Sequence, residues 1–140
     1  MLRQAFSTLD VRAPAQGLQD ISKDVAHWVA GSGIADGLLT LFCRHSSASL
    51  LIQENAAPAA RRDLEAYFVR IAPEDPSAYS HNDEGPDDMP SHLRAALTPT
   101  QLAIPVQSGR MMLGTWQGIY LFEHRRDPPP RQIVLHLAGE

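Results

Sequence analysis

The sequence predicts an α+β domain with a mainly antiparallel, sandwich-like sheet core flanked by two longer helices. Three observations carry this. Helical and strand patterns fall in blocks instead of strict alternation. Two stretches, Leu18 to Val29 and Ala59 to Ile71, repeat apolar residues at helical spacing. The last third breaks into short β-rich runs separated by turn residues. A length of 140 residues suits one domain, 1–140, with a real core.

Leu2 to Val11 alternates imperfectly and reads as a first strand. After Pro14 and Gly17, the residues Leu18, Ile21, Val25, Trp28 and Val29 mark one face of an amphipathic helix that stops at Gly31-Ser32-Gly33. Asp36-Gly37 turns the chain into Leu38 to Cys43, an apolar run suited to a buried strand. Leu50 to Gln53 reads as a further strand with a polar tip at Glu54-Asn55. Pro58 fits the first turn of a helix through Ile71, with Leu64, Tyr67, Phe68 and Ile71 on one face. Residues 73 to 91 form a long loop, and Pro90 or Ser91 starts a short helix through Leu93 and Leu97. Gln101 to Gln107, Arg110 to Leu113, Thr115 to Glu123 and Gln132 to Leu137 then read as an antiparallel meander, with Ser108-Gly109 as a hairpin turn.

Composition narrows the function. Hydrophobic residues are 44% and charged residues 20% of the chain, an ordinary globular balance, and the net charge of -4 with scattered basic residues excludes nucleic acid as a partner. The lone Cys43 excludes an intramolecular disulfide, and no apolar run approaches the length that spans a bilayer. With no secretory pattern at its start, the chain reads as a cytoplasmic protein.

Chemistry concentrates between His81 and His92, where two histidines, three aspartates and one glutamate are punctuated by Gly85, Pro86 and Pro90. Imidazole binds zinc and other transition ions, and carboxylates add oxygen ligands, so this loop is a candidate metal or acid-base site. The spacing matches no compact zinc signature, and a solvated acidic loop is the plain alternative. His45-Ser46-Ser47 follows a buried-looking strand, and its hydroxyls suit either ligand contacts or turn capping; no nucleophile elbow is present. Asn55 at a strand tip and Asp63 in the next helix share the loop's rim if that helix packs back on the sheet. Gln117, on an otherwise apolar strand face, needs a partner if buried. Glu123 stands beside His124-Arg125-Arg126, where acid and guanidinium hold phosphate or each other.

These residues together resemble the YjbQ family, described as secondary thiamine-phosphate synthase. The resemblance covers nearly the whole chain: His45-Ser46-Ser47-Ala48-Ser49-Leu50, Ile52-Gln53-Glu54-Asn55 with Asp63, and His81-Asn82 followed by Glu84 to His92. Ile104-Pro105, Gly109, Leu113 to Tyr120 and Glu123 complete it, with Ser46 where the family usually has Thr. The resemblance implies a compact α+β homotrimer with a polar pocket near subunit edges. His45, His81 and His92 match the family's histidines, and imidazole chemistry makes them the expected ligands for a divalent metal, zinc or another transition metal in preference to magnesium. Asp88, Gln117 and Asn55 would serve catalysis and orientation, and Ser46, Ser47, Asp63 and Glu123 would contact a phosphorylated small-molecule substrate. The implied reaction couples hydroxymethylpyrimidine diphosphate to thiazole phosphate; the alternative is a small metal- or metabolite-binding protein.

Overall fold

Eight strands and three helices make up the fold in the computed structural model, which describes residues 1–140. One sheet has the order β1 (Arg3–Val11), β8 (Arg131–Gly139), β3 (Gly37–Cys43), β5 (Gln101–Gln107) and β6 (Arg110–Met111). The other has the order β2 (Gly17–Asp20), β7 (Gln117–Glu123) and β4 (Ala48–Glu54). All pairings are antiparallel. The sheets share one core: Leu39, Leu41 and Leu135 of the first meet Leu50, Ile119 and Leu121 of the second, with Val25 and Val29 of α1 (Ser22–Gly31) between. The α+β expectation with an antiparallel, sandwich-like core therefore holds.

β7 is buried on both faces, which explains its unbroken apolar character. Ile119 and Leu121 enter the shared core, whereas Tyr120 and Phe122 turn outward to meet Leu18 and Phe68. Phe68 belongs to α2 (Pro58–Ile71) and stands edge-on to Phe122, ring centroids 5.2 Å apart. Tyr67 and Ile71, expected on the same buried face, lie on the neighbouring stripe and stay exposed. The hairpin at Ser108-Gly109 forms as expected, with φ of 53° and 76° at its two central residues, the left-handed pair that matches strand twist.

Two expectations give way. Leu18 opens no helix: it pairs with Phe122 in β2, and Ile21 N donates to Ile119 O before α1 starts at Ser22. Its spacing from Ile21 suits a helix, but the free edge of β7 offered backbone partners. The last third is no meander either, since β7 joins the smaller sheet and β8 inserts between β1 and β3. The three expected helices are present, α1 and α3 (Asp88–Leu97) each of 10 residues and α2 of 14. α3 starts two residues early because Pro90 sits in its first turn, where a missing N–H breaks no helical bond.

Candidate functional site

The loop before α3 is an ordered structure. Asp75 caps a 3-10 turn at Pro76–Ala78 through Ser77, and the Asn82 amide donates to Pro76 O and Tyr79 O at 3.2 and 2.8 Å. Gly85, at φ 101°, lets the chain reverse into Asp87 and Asp88. Both carboxylates lie at the start of α3, where the helix dipole favours negative charge.

Arg125, just past β7, ties this loop to the sheet. Its Nε donates to Asp87 Oδ2 at 3.1 Å, Nη1 to Asp88 Oδ1 at 2.6 Å and Nη2 to Glu84 O at 2.9 Å. Arg126 N adds a bond to Asp87 Oδ2 at 2.9 Å. Burial by itself would raise the Asp87 pKa, but these hydrogen bonds and the Arg125 charge outweigh it and hold the carboxyl below its usual value.

The remaining oxygen of Asp88 faces two imidazoles. His81 Nε2 stands 2.8 Å and His92 Nε2 3.3 Å from Asp88 Oδ2, the latter pair one helical turn apart. The ring centroids of His81 and His92 are 5.9 Å apart, and the three donor atoms lie within 4.8 Å of one another. Asp88 is buried, His81 is half exposed and His92 lies between, so the group opens to solvent on the His81 side.

His92 also carries chemical information about its own protons. Its Nδ1 lies 2.9 Å from Ser46 O, and a carbonyl only accepts, so Nδ1 bears the hydrogen. In the neutral ring Nε2 then presents a lone pair toward a carboxylate oxygen. That contact needs a proton or a metal ion between the atoms: a second proton on the ring, a proton on the carboxyl, or a bound cation.

Other expected residues take different places. His45 is not in the three-atom group; its Nε2 accepts a hydrogen bond from Gln132 N at 2.8 Å, joining the end of β3 to β8. Burial, then the charges of Arg131 and Arg44, push its pKa down against the opposing Glu123. The expected convergence of three histidines does not form: His81 and His92 meet at Asp88, and His45 lies apart from them. Ser46 contributes its carbonyl to His92, and Ser47 its carbonyl to Arg131. Gln117 is exposed, and its Oε1 accepts from Gly114 N at 2.7 Å, closing the turn before β7. Asn55 lies on a shallow cleft of about 80 Å³ with Glu54, Arg61 and Tyr120, apart from the histidines, and Asp63 is exposed on α2.

Glu123 is buried in an ion pair with Arg131, whose Nε and Nη2 each approach its carboxylate at 2.6 Å. With Arg125 N also bound at 3.1 Å, both oxygens are engaged, which removes Glu123 from direct substrate contact. Beside it, His124 Nε2 and Ser49 Oγ are 2.9 Å apart, and Thr98 Oγ1 reaches Ser49 Oγ and Arg94 O. Burial, then Arg94 and Arg131, lower the His124 pKa to about 3. Arg131 escaped the sequence reading, and His124 entered it only as a neighbour of Glu123; one opens an apolar strand after three prolines and the other follows one, and nothing local marks either as special.

Comparison with known proteins agrees with this architecture. The family model for UPF0047 protein YjbQ-like matches residues 7–140. The UPF0047 protein sll1880 of Synechocystis is 45% identical over 138 residues, 99% of this chain and 94% of its own length. The UPF0047 protein YjbQ of Salmonella typhimurium is 41% identical, over 95% of this chain and 96% of its own. Among solved structures, a YbjQ-like protein of unknown function from Sulfolobus solfataricus superposes with a TM-score of 0.90 at 26% identity, covering 100% of both chains. The conserved hypothetical protein TT1486 of Thermus thermophilus gives 0.83 at 30% identity over 94% of this chain and 98% of its own. By sequence along almost its full length, and by fold, the chain belongs to the UPF0047 protein YjbQ-like family.

Proposed function

We propose that His81, Asp88 and His92 hold a divalent metal ion and that the protein uses this centre in a transfer reaction on phosphorylated small molecules, in the manner of a secondary thiamine-phosphate synthase. The supporting observation is His92 Nε2 facing Asp88 Oδ2 while its Nδ1–H is committed to Ser46 O. Two imidazole nitrogens and one carboxylate oxygen fit zinc or another transition metal better than magnesium, and three protein donors leave a position for substrate. When bound, the ion supplies positive charge against diphosphate oxygens. In the reaction the thiazole nitrogen forms a bond to the pyrimidine methylene carbon while the bond from that carbon to the diphosphate oxygen breaks, and pyrophosphate departs with the electron pair. Arg125 fixes the Asp88 carboxylate, and Ser46 O fixes the His92 tautomer.

Zinc affinity, measured against a chelator of known strength, should fall about a hundredfold or more in His81→Ala and His92→Ala, and roughly tenfold to a hundredfold in Arg125→Met. Synthase turnover, followed as pyrophosphate release from the two substrates, should fall with it. Turnover equal in wild type and both histidine variants would refute the site. The second reading, a metal- or metabolite-binding protein, is favoured by one observation: each nitrogen of Arg125, the arginine beside the metal group, already donates to the protein, so its guanidinium is committed to holding the loop. Stoichiometric zinc without turnover would select it.

Assembly belongs to the same reading. Phe6, Leu38 and Phe42 are 67%, 48% and 45% exposed, and strand register places them on one outer face of the larger sheet with Val134, His136 and Ala138. Three exposed apolar side chains on one sheet face, among Thr8, Thr40 and His136, suit contact with further copies in a homotrimer. Light scattering should give a trimer for the wild type and a monomer for Phe6→Glu/Phe42→Glu; a monomeric wild type would end this proposal.

A further inference from the structure

A cavity of about 340 Å³ lies between β2, α2, α3 and the end of β7, and neither histidine of the metal group nor Asp88 or Arg125 lines it. Its size is that of a site for a small organic molecule, and Phe68, Val69 and Phe122 form an apolar wall.

The charges around it do not balance. Glu123 reaches the cavity with both oxygens already bound to Arg131 and Arg125 N. Glu65 accepts from Leu18 N at 3.1 Å, and its Oε2 fills the space a Cβ on Gly17 would occupy. The Gln16 amide is spent on Glu74 and His124 O. Arg94 remains. It is 4% exposed, its Nη2 donates to Ala72 O at 2.7 Å, and its Nε has no partner. The other buried charged side chains, Asp87, Asp88, Glu123 and Arg131, each touch an opposite charge, and Arg94 touches none.

A guanidinium removed from water without an anion in contact is costly, and burial lowers the Arg94 pKa against the more distant charges of Glu74, Tyr79 and Asp87, which act to raise it. The one other buried side-chain atom lacking a partner is Nδ1 of His124, the ring whose protonation Arg94 opposes most among the charges. The two unsatisfied atoms thus belong to neighbouring groups. Arg62, exposed on α2, adds a second guanidinium at the rim.

We infer that this cavity binds a small organic anion, a carboxylate or phosphate monoester on an aromatic-sized apolar body, with the anion on Arg94 and the body against Phe68 and Phe122. This site is independent of the metal group. Calorimetric titration of the full chain with phenyl phosphate, benzoate, inorganic phosphate and neutral benzamide tests it and separates the two head groups. Phenyl phosphate or benzoate should bind saturably at one site, more tightly than inorganic phosphate and benzamide. Arg94→Met should weaken that binding about tenfold or more, since a buried charge-assisted bond is lost. Val69→Trp, which fills the cavity from an exposed helix position, should abolish it. His81→Ala should leave it unchanged, so failure of the metal reading would not touch this one. Absence of binding by both anions, equal binding of benzamide, or binding unaltered in Arg94→Met or Val69→Trp would overturn the inference.

Discussion

Glu123→Gln and Arg131→Met should each destabilise the fold by about 3–5 kcal/mol, the loss expected when one partner of a buried ion pair is removed. That is two to three orders of magnitude or more in the folding constant. Glu123 and Arg131 are 1% and 2% exposed, so the survivor cannot recover its water of hydration. The pair also has a mechanical position. Glu123 ends β7 in the smaller sheet and Arg131 opens β8 in the larger, and Arg131 Nη2 reaches on to Ser47 O at 3.2 Å. Two sheets and the turn after β3 therefore meet at one guanidinium. Urea unfolding is the measurement, with Glu123→Leu/Arg131→Met beside the single variants. The double variant should recover much of the loss, because it leaves no charge buried alone. A double variant whose loss equals the sum of the single losses would show that the two residues act independently.

Acid should begin to destabilise this protein before its carboxylates are protonated, through His124. Burial, then Arg94 and Arg131, lower its pKa to about 3 in the folded chain, against an ordinary value near 6.5 when unfolded. The unfolded state therefore binds the extra proton first. The contribution to stability is complete above about pH 6.5 and is lost progressively as pH falls toward 3, reaching roughly 4 kcal/mol. His45, whose pKa is also lowered, acts in the same direction, and Asp87 adds to the loss only below its unfolded value. A comparison isolates His124. His124→Gln keeps an amide group able to bond Ser49 Oγ and cannot titrate. Between pH 6 and 4.5 the wild type should lose stability more steeply than His124→Gln by about one proton, read from urea midpoints at successive pH values. Parallel curves would show that the ring titrates normally.

The candidate site divides between what local sequence reveals and what it hides. His81, Asp88 and His92 were legible because they lie in one short stretch, and a helix starting at Asp88 brings His92 back over it one turn later. His45 misled because its partner, Gln132 N, is set by the pairing of β3 with β8 across most of the chain. Gln117 misled for another reason: the strand starts at that residue, so its side chain serves the turn and not the face. Arg125 stood beside Glu123 in the sequence as a candidate anion holder, yet its three acceptors come from the loop some forty positions earlier.

From the sequence alone came the antiparallel α+β class, the helix after Pro58, the turn at Ser108-Gly109 and the acidic loop, because spacing, turn conformation and proline placement act within a few residues. Tertiary structure alone decided that Leu18 joins a strand, that β7 and β8 part company, and that Arg131 answers Glu123 while Arg94 touches no opposite charge. Apolar periodicity records that a face must be buried without recording against what. Ion pairs and unpaired charges are settled only when distant strands are brought side by side and water is excluded from between them.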